Sequence, residues 1–499
     1  MVSTPPLFAA AETDPVTEKD AFKAQEEGLR TALLKAQYAL LEKADRALVI
    51  VVAGIDGAGK GATVRLINEW MDPRHIRTLA IDPAAAKETG HPKMWPYWNA
   101  LPPRGKIGIV FGSWYVDFAR EAARKHPRPK RLKIMAQDIQ RFEAMLAADG
   151  VQVLKLWFHL SQSAQATRIK SLLSRPETAW QVTPADLRVQ KKFDRLAQAG
   201  ALAINLTDHR YAPWRIIPSA CEYTRSLETS KTILAALKAR LPRVPTQAPE
   251  LLAHSIALAQ RIGVEPAHRV VANDYDEQLN LWQGRLAQAV RHDAFKNRHL
   301  ILAFEGQDAA GKGGAIRRVV NALDPRQYEI HQISAPSQEE LARPYLWRFW
   351  RRLPAPGRVV VFDRSWYGRV LVERVEKFAK PTQWRRAYAE INDFEAQNVE
   401  AGSIVLKFWL AIDSDEQLSR FKARQHSPFK KFKITDEDWR NRNQWDAYAR
   451  AAQEMLDRTD TPCAPWHVID AQDKKSARIE VLRHTVEALE SALGIRPAK

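Results

Sequence analysis

Cysteine is almost absent from this chain. The two present, Cys221 and Cys463, lie far apart in sequence, which excludes a disulfide framework and points to a reducing compartment. Long apolar runs are absent as well. No uninterrupted stretch approaches the roughly 20 residues a bilayer-spanning helix requires, and the first residues lack the positive-then-apolar pattern of a secretion signal. A cytoplasmic protein with no membrane partner is expected. Acid is in deficit too: 58 Asp and Glu face 76 Lys and Arg, for a formal net charge of +18. Such an excess suits a polyanionic partner. Nucleic acid is the usual candidate, but zinc-ligand spacing, an RNA-binding aromatic signature and a basic zipper are all missing. No specific nucleic acid is therefore expected. A long phosphate polymer satisfies the same electrostatics, and a generally basic surface is the bland alternative.

What is present is enough chain, 499 residues, for two or three domains with their own cores. A phosphate-binding loop occurs twice. Gly54-Ile55-Asp56-Gly57-Ala58-Gly59-Lys60-Gly61 follows the apolar run 47–53, and Gly306-Gln307-Asp308-Ala309-Ala310-Gly311-Lys312-Gly313 follows 299–305. Each reads as a buried strand, a glycine-rich turn and a helix, the context a P-loop needs. Backbone N–H groups of the turn and helix start can surround phosphate oxygens, with the lysine adding a mobile charge.

The 252-residue spacing between Lys60 and Lys312 holds well beyond the loops. Asp72-Pro73-Arg74 matches Asp324-Pro325-Arg326, Ser113-Trp114-Tyr115 matches Ser365-Trp366-Tyr367, and Lys155-Leu156-Trp157 matches Lys407-Phe408-Trp409. Ala212-Pro213-Trp214 likewise matches Ala464-Pro465-Trp466. A register without net drift over that distance marks a tandem duplication into two domains. The boundary falls where prolines 242, 245 and 249 interrupt the periodicity, giving expected domains 1–245 and 273–499 with 246–272 as linker and start of the second unit. A leading amphipathic helix (18–43 and 275–291) precedes each P-loop strand. Later strands are expected at 106–111, 151–159, 358–362 and 403–412, with helices between them. Apolar strands alternating with helices predict two tandem three-layer α/β P-loop domains with parallel sheets. Ligand belongs beyond the carboxyl ends of the strands.

In the second unit the strand Arg358–Phe362 ends in Asp363, then Arg364. A carboxylate there sits beside bound phosphate and can hold Mg²⁺ directly or through water. Arg364 can reach a transferring phosphoryl group with a bidentate fork. A nucleotide-hydrolysing P-loop ordinarily has Ser or Thr after its lysine as a metal ligand; here the position is Gly313, and Gly61 in the first unit. The metal must then rely on other groups, and Asp308, an anion inside a phosphate loop, is costly unless a cation bridges it. Asp308 and Asp363 are the expected metal pair. Further on, Arg420 and Arg424 lie four apart on one helical face and run into His426-Ser427-Pro428-Phe429-Lys430-Lys431-Phe432-Lys433. These cations alternate with aromatics rather than acids, as in a basic helical lid that closes over small phosphates to exclude water. Trp439, Trp445, Asp446 and Tyr448 follow on what reads as one helix and are expected to pack.

These motifs together, including Phe362-Asp363-Arg364-Ser365-Trp366-Tyr367-Gly368-Arg369, closely resemble the polyphosphate kinase 2 family over essentially all of 273–491. A fused pair of such domains is similar to that family's two-domain polyphosphate:AMP phosphotransferases. The resemblance implies transfer of the terminal phosphate of inorganic polyphosphate to AMP, giving ADP, with Mg²⁺ as cofactor. It implies catalytic roles for Asp308, Lys312, Asp363 and Arg364. It also implies phosphate contacts from Gly306, Gly311, Gly313, Arg420, Arg424, Lys430 and Lys431, with Arg369 and Glu373 as weaker candidates. The +18 charge fits a polyphosphate channel.

At the same offset the first unit is damaged. Asp363 corresponds to Phe111, Arg364 to Gly112, Arg424 to Leu172, and Lys430-Lys431 to Thr178-Ala179; Asp56 and Lys60 remain. A non-catalytic first domain is expected, serving as scaffold, interaction surface or residual polyphosphate site. Two alternatives stay open: an ATP-dependent nucleoside monophosphate kinase, and a non-catalytic polyphosphate- or nucleic-acid-binding protein. The acceptance of other nucleotides, the base-binding residues and a homo-oligomeric state are left open by the sequence.

Overall fold

The computed structural model describes residues 6–81, 90–180, 182, 187, 190, 192–241, 244, 274–429 and 431–495. The chain folds as two compact units. One comprises Met1–Ala86, Met94–Val244 and Pro336–Trp347, the other Lys87–Lys93, Pro245–Ala335 and Arg348–Lys499. The expected linker 246–272 lies outside the described residues.

Each unit holds a five-stranded parallel sheet. The first contains β1 (Ala47–Gly54), β2 (Ile76–Ala80), β3 (Ile107–Phe111), β4 (Val151–His159) and β5 (Trp214–Pro218), in the order β2-β3-β1-β4-β5. The second contains β6 (His299–Gly306), β7 (Tyr328–Gln332), β8 (Val359–Asp363), β9 (Ser403–Ala411) and β10 (Trp466–Asp470), in the order β10-β9-β6-β8-β7. The duplication extends to register: Leu48 pairs with Ile107 and Leu300 with Val359, while Ala47 pairs with Val151 and His299 with Ser403. Central strands are apolar on both faces because helices cover both. All nine residues of β4 are buried, as are eight of nine in β9. The edge strands β2 and β7 are short, partly exposed and mixed in composition, so they carry no continuous apolar run for a sequence reading to find.

The leading helices form at Lys19–Lys43 and Tyr275–Arg291. Asp276 and Glu277 open the second where the helix dipole favours anions, and Arg291 closes it. Its Leu286, Ala289 and Val290 enter the core with Phe304, Val361 and Leu482. Each such large apolar side chain contributes about 1.5–3 kcal/mol on burial.

A buried polar network recurs in both sheets. Lys407, on β9, donates to Glu395 Oε2 at 2.8 Å, Tyr367 Oη at 2.9 Å and Thr459 O at 2.6 Å. Its twin Lys155 donates to Glu143 at 2.7 Å, Tyr115 at 2.9 Å and Thr207 O at 2.7 Å. Both lysine–glutamate pairs are wholly buried. All three ammonium protons find acceptors, the condition under which a buried charge is tolerated. Trp366 and Tyr367 also donate to Glu395, and Trp466 to Thr459 Oγ1. The Ser-Trp-Tyr, Lys-x-Trp and Ala-Pro-Trp motifs therefore join the central strand to its covering helices. Among the described residues no helix is long and apolar enough to cross a membrane.

Candidate active site

The site of the second unit stands where β6 and β8 end. At Gly306 the backbone leaves the strand with φ of 137°, and a Cβ there would lie 2.2 Å from the Leu410 carbonyl oxygen; only glycine fits. The loop then turns into the helix Lys312–Val320, capped by Gly311 at φ 110°. Lys312 Nζ folds back on the loop, donating to the carbonyls of Gly306 at 2.8 Å and Gln307 at 3.2 Å. Gly313 has open space around it.

Asp363, the last residue of β8, makes no side-chain hydrogen bond or ion pair with the described residues. Arg364 follows with φ of 63°, and its guanidinium lies 3.3 Å from Asp308 Oδ1 and 4.0 Å from Glu437. Burial lowers the pKa of that guanidinium, but the carboxylates of Asp308, Glu305, Glu437 and Asp363 together outweigh it and raise the value. Arg364 stays charged. The other oxygen of Asp308 accepts from Asn441 Nδ2 at 2.9 Å. Lysine, arginine and two carboxylates thus converge on one loop, an arrangement suited to holding and transferring a phosphoryl group.

The donor set fits a particular kind of metal site. Among the described residues no group of three or more His, Cys, Asp or Glu could form a cage. Two carboxylates, one uncommitted, suit a small hard cation that keeps waters and takes substrate phosphates as its remaining ligands.

The expected lid cations separate. Arg420 is buried, and its guanidinium is committed to the carbonyls of Ala309, Ala310, Ala471 and Gln472, with Glu416 as ion-pair partner. It braces the P-loop through those carbonyls, a different placement from the open phosphate contact expected of it. A helix-face pattern could not distinguish it from Arg424, which is half-exposed and has no side-chain hydrogen bond or ion pair among the described residues. Lys431 is exposed, its ammonium over the Phe432 ring at 5.2 Å. Lys430 lies outside the described residues. Arg369 pairs with Glu373 at 3.1 Å.

Tyr448 does more than pack. The expected single helix is two, Asp436–Asn443 and Trp445–Thr459. Tyr448 donates to Asn441 Oδ1 at 3.1 Å, and Gln444 donates to Glu376 at 2.8 Å. Burial and then the carboxylates of Glu376, Asp308 and Glu437 push the Tyr448 phenol well up, so it stays a donor. Trp439 does pack, edge-on to Phe421.

Glu305, Glu376, Glu437 and Asn441 escaped the motif reading, yet a signal was available. Their counterparts at the 252-residue offset are Ala53, Arg124, Ala185 and Val189, and Tyr448 corresponds to Leu196. The buried lysine–glutamate network is kept in both units, while this set is lost with Asp363 and Arg364.

In the first unit the loop keeps its geometry: Gly54 has φ 132°, and Lys60 reaches the carbonyls of Gly54 and Ile55 at 2.9 Å each. Its electrostatics differ. With glycine at 112, Asp56 turns to Lys60 and pairs with it at 2.7 Å. A lysine neutralised by its own loop offers less to an incoming anion.

Comparisons with known proteins agree on both halves. The family described as Polyphosphate kinase 2 (PPK2) matches residues 16–245 and again 269–496. The chain is 44% identical over 491 residues to a polyphosphate:AMP phosphotransferase of Pseudomonas syringae pv. tomato, covering 97% of this chain and 99% of that one. It is 42% identical to a protein of the same description from Acinetobacter johnsonii, covering 93% and 96%. A solved polyphosphate kinase 2 structure from Pseudomonas aeruginosa PA01 superposes with a TM-score of 0.85 at 42% identity, covering 97% of this chain and 99% of that one.

Proposed function

The chain belongs to the polyphosphate kinase 2 family, and from that premise we propose that it transfers the terminal phosphoryl group of inorganic polyphosphate to AMP, giving ADP. The full-length relatives carry that activity in their descriptions. We place the chemistry in the second unit, on the single observation that Asp363 and Arg364 stand beside the Gly306–Gly313 loop while the equivalent positions hold Phe111 and Gly112.

In this reading an AMP phosphate oxygen attacks the terminal phosphorus of the polymer. A new P–O bond forms as the bond to the bridging oxygen breaks, and the chain leaves one unit shorter. The nucleophile is already an anion at neutral pH, so no strong general base is required. Lys312 and Arg364 stabilise charge on the equatorial and leaving oxygens. Lys312 would exchange its two carbonyl acceptors for phosphate oxygens, and Asp308 would orient Arg364 through their 3.3 Å contact. Asp308 and Asp363 would hold Mg²⁺, which when bound supplies further neutralisation of the phosphates. The segment from 416 to 433, carrying the exposed Lys431 and the half-exposed Arg424, would act as the lid that excludes water. The first unit would serve as scaffold, its loop charge spent on the Asp56–Lys60 pair.

Purified protein supplied with AMP and either polyphosphate or ATP tests the reading. ADP formed at the expense of polyphosphate is expected; ATP as the preferred donor would favour a nucleoside monophosphate kinase instead.

A further inference from the structure

Glu305 is the last side chain of β6 before the loop, and it is 5% exposed. One of its carboxylate oxygens accepts both hydrogen bonds that Ser365 can donate, the backbone N–H at 2.7 Å and Oγ–H at 2.8 Å. Ser365 is itself 2% exposed. The peptide so held joins Ser365 to Arg364, and the N–H on the other side of Arg364 donates to Phe304 O at 3.0 Å. The strand ending at Glu305 thus grips Arg364 from both sides. Between the two grips Arg364 adopts φ of 63°, the left-handed region that a non-glycine residue avoids.

The first unit is an internal control. Its turn keeps the serine, Ser113, also buried. It has Ala53 in place of Glu305 and Gly112 in place of Arg364, with Gly112 at φ 81°. Glycine makes the left-handed turn without strain, so no clamp is required. A side chain cannot be restored there either, since a Cβ on Gly112 would lie 2.3 Å from the Ile81 carbonyl oxygen. Clamp, strain and arginine occur together in one unit and are absent together from the other.

We propose that Glu305 is a positioning residue for phosphoryl transfer: by gripping Ser365 it holds Arg364 in its strained conformation with the guanidinium against Asp308. Glu305 need not touch substrate. Burial pushes the Glu305 carboxyl above its usual range, with the hydrogen bond from Ser365 and the charges of Lys312 and Arg364 acting against that shift.

Resting on the proposed function, the test is a double-mutant cycle on the full chain, reading ADP formation from polyphosphate and AMP with the Tm of each variant. Glu305→Ala alone should lower kcat about 30- to 100-fold, with KM for both substrates within about threefold. Arg364→Gly places in this unit the residue its twin already carries. In that background Glu305→Ala should change kcat by less than about twofold, because nothing is left to position. Glu305→Gln, which keeps an acceptor oxygen for Ser365, should stay within about fivefold of wild type. An equal loss from Glu305→Ala in both backgrounds would overturn the proposal, since a direct contact with substrate or a general role in folding would act without the arginine. A glutamine variant as impaired as the alanine would also overturn it. Should Glu305→Ala fail to fold, Ser365→Ala replaces it in the same cycle; it removes one of the two hydrogen bonds and keeps the backbone one, so a smaller loss of about 3- to 10-fold is expected, again vanishing in the Arg364→Gly background. Wild-type turnover separates the two levels: its absence overturns the proposed function, whereas its presence with an additive cycle overturns the clamp alone.

Discussion

Changing Glu395 to Gln should strip the second unit of a large part of its stability. The substitution removes the carboxylate that Lys407 pairs with at 2.8 Å, in a pair with no solvent exposure on either side. The ammonium keeps Tyr367 Oη and Thr459 O as acceptors but loses its counter-charge. Breaking one side of such a pair costs about 3–5 kcal/mol, against roughly 5–15 kcal/mol for a whole domain. For a unit of this size that corresponds to a fall in Tm of roughly 6–20 °C. The cost should depend on pH with a definite sign. Burial holds Lys407 below its ordinary pKa of 10.5, and Glu395 is the main influence raising it. Without Glu395 the folded lysine sheds its proton more readily, so between its folded pKa and 10.5 the unfolded chain binds more protons and stability rises with pH. Calorimetry at pH 7 and pH 10 should show the deficit narrowing at the higher value. Glu143→Gln should behave alike in the first unit, where the geometry is the same to within 0.1 Å. A loss below about 1 kcal/mol, or a deficit that widens with pH, would refute the reasoning.

Arg420→Lys should cost about 2–3 kcal/mol in denaturant titration, because a lysine cannot satisfy four carbonyls held by a planar fork. Arg424→Ala should leave stability within about 0.5 kcal/mol and raise the KM for polyphosphate. Asp363→Asn should raise the Mg²⁺ concentration needed for half-maximal rate by about tenfold or more, measured by metal titration. The rings of His467 and His484 lie 4.4 Å apart, tilted to one another, and each is pushed by burial down to about 4. The unfolded chain takes up their protons first, so Tm should fall as pH drops from about 6.5 to about 4, and His484→Gln should flatten that slope.

The sheets and the P-loops were legible because their signals are local. Val151–His159 and Ser403–Ala411 are mostly apolar nine-residue segments, and glycine-lysine spacing marks each loop. The edge strands were not, since β2 and β7 are short, partly exposed and mixed in composition. The different settings of Arg420 and Arg424 were hidden for a related reason: helical spacing puts them side by side, but only the fold decides which guanidinium turns inward to the loop carbonyls. Glu305 and Asn441 reach the site from a strand end and a distant helix, and neither belongs to a motif. The duplication nonetheless held a second layer of information. Some residues that both units keep, such as Lys155 and Lys407, serve the buried network, while others, such as Lys60 and Lys312, belong to the loops. The residues that one unit replaces, as with Ala53 for Glu305 and Gly112 for Arg364, include those that gather at the second unit's loop.

The division of labour between the two loops is tested most directly by one pair of variants. With polyphosphate and AMP at saturation, ADP formation is measured for Lys60→Ala and Lys312→Ala in the full chain. Lys60 is paired with Asp56 at 2.7 Å, whereas among the described residues Lys312 donates only to loop carbonyls. Lys60→Ala should retain turnover within about twofold, and Lys312→Ala should lose about 10²-fold or more. Equal losses from both would contradict the assignment of phosphoryl transfer to the second unit.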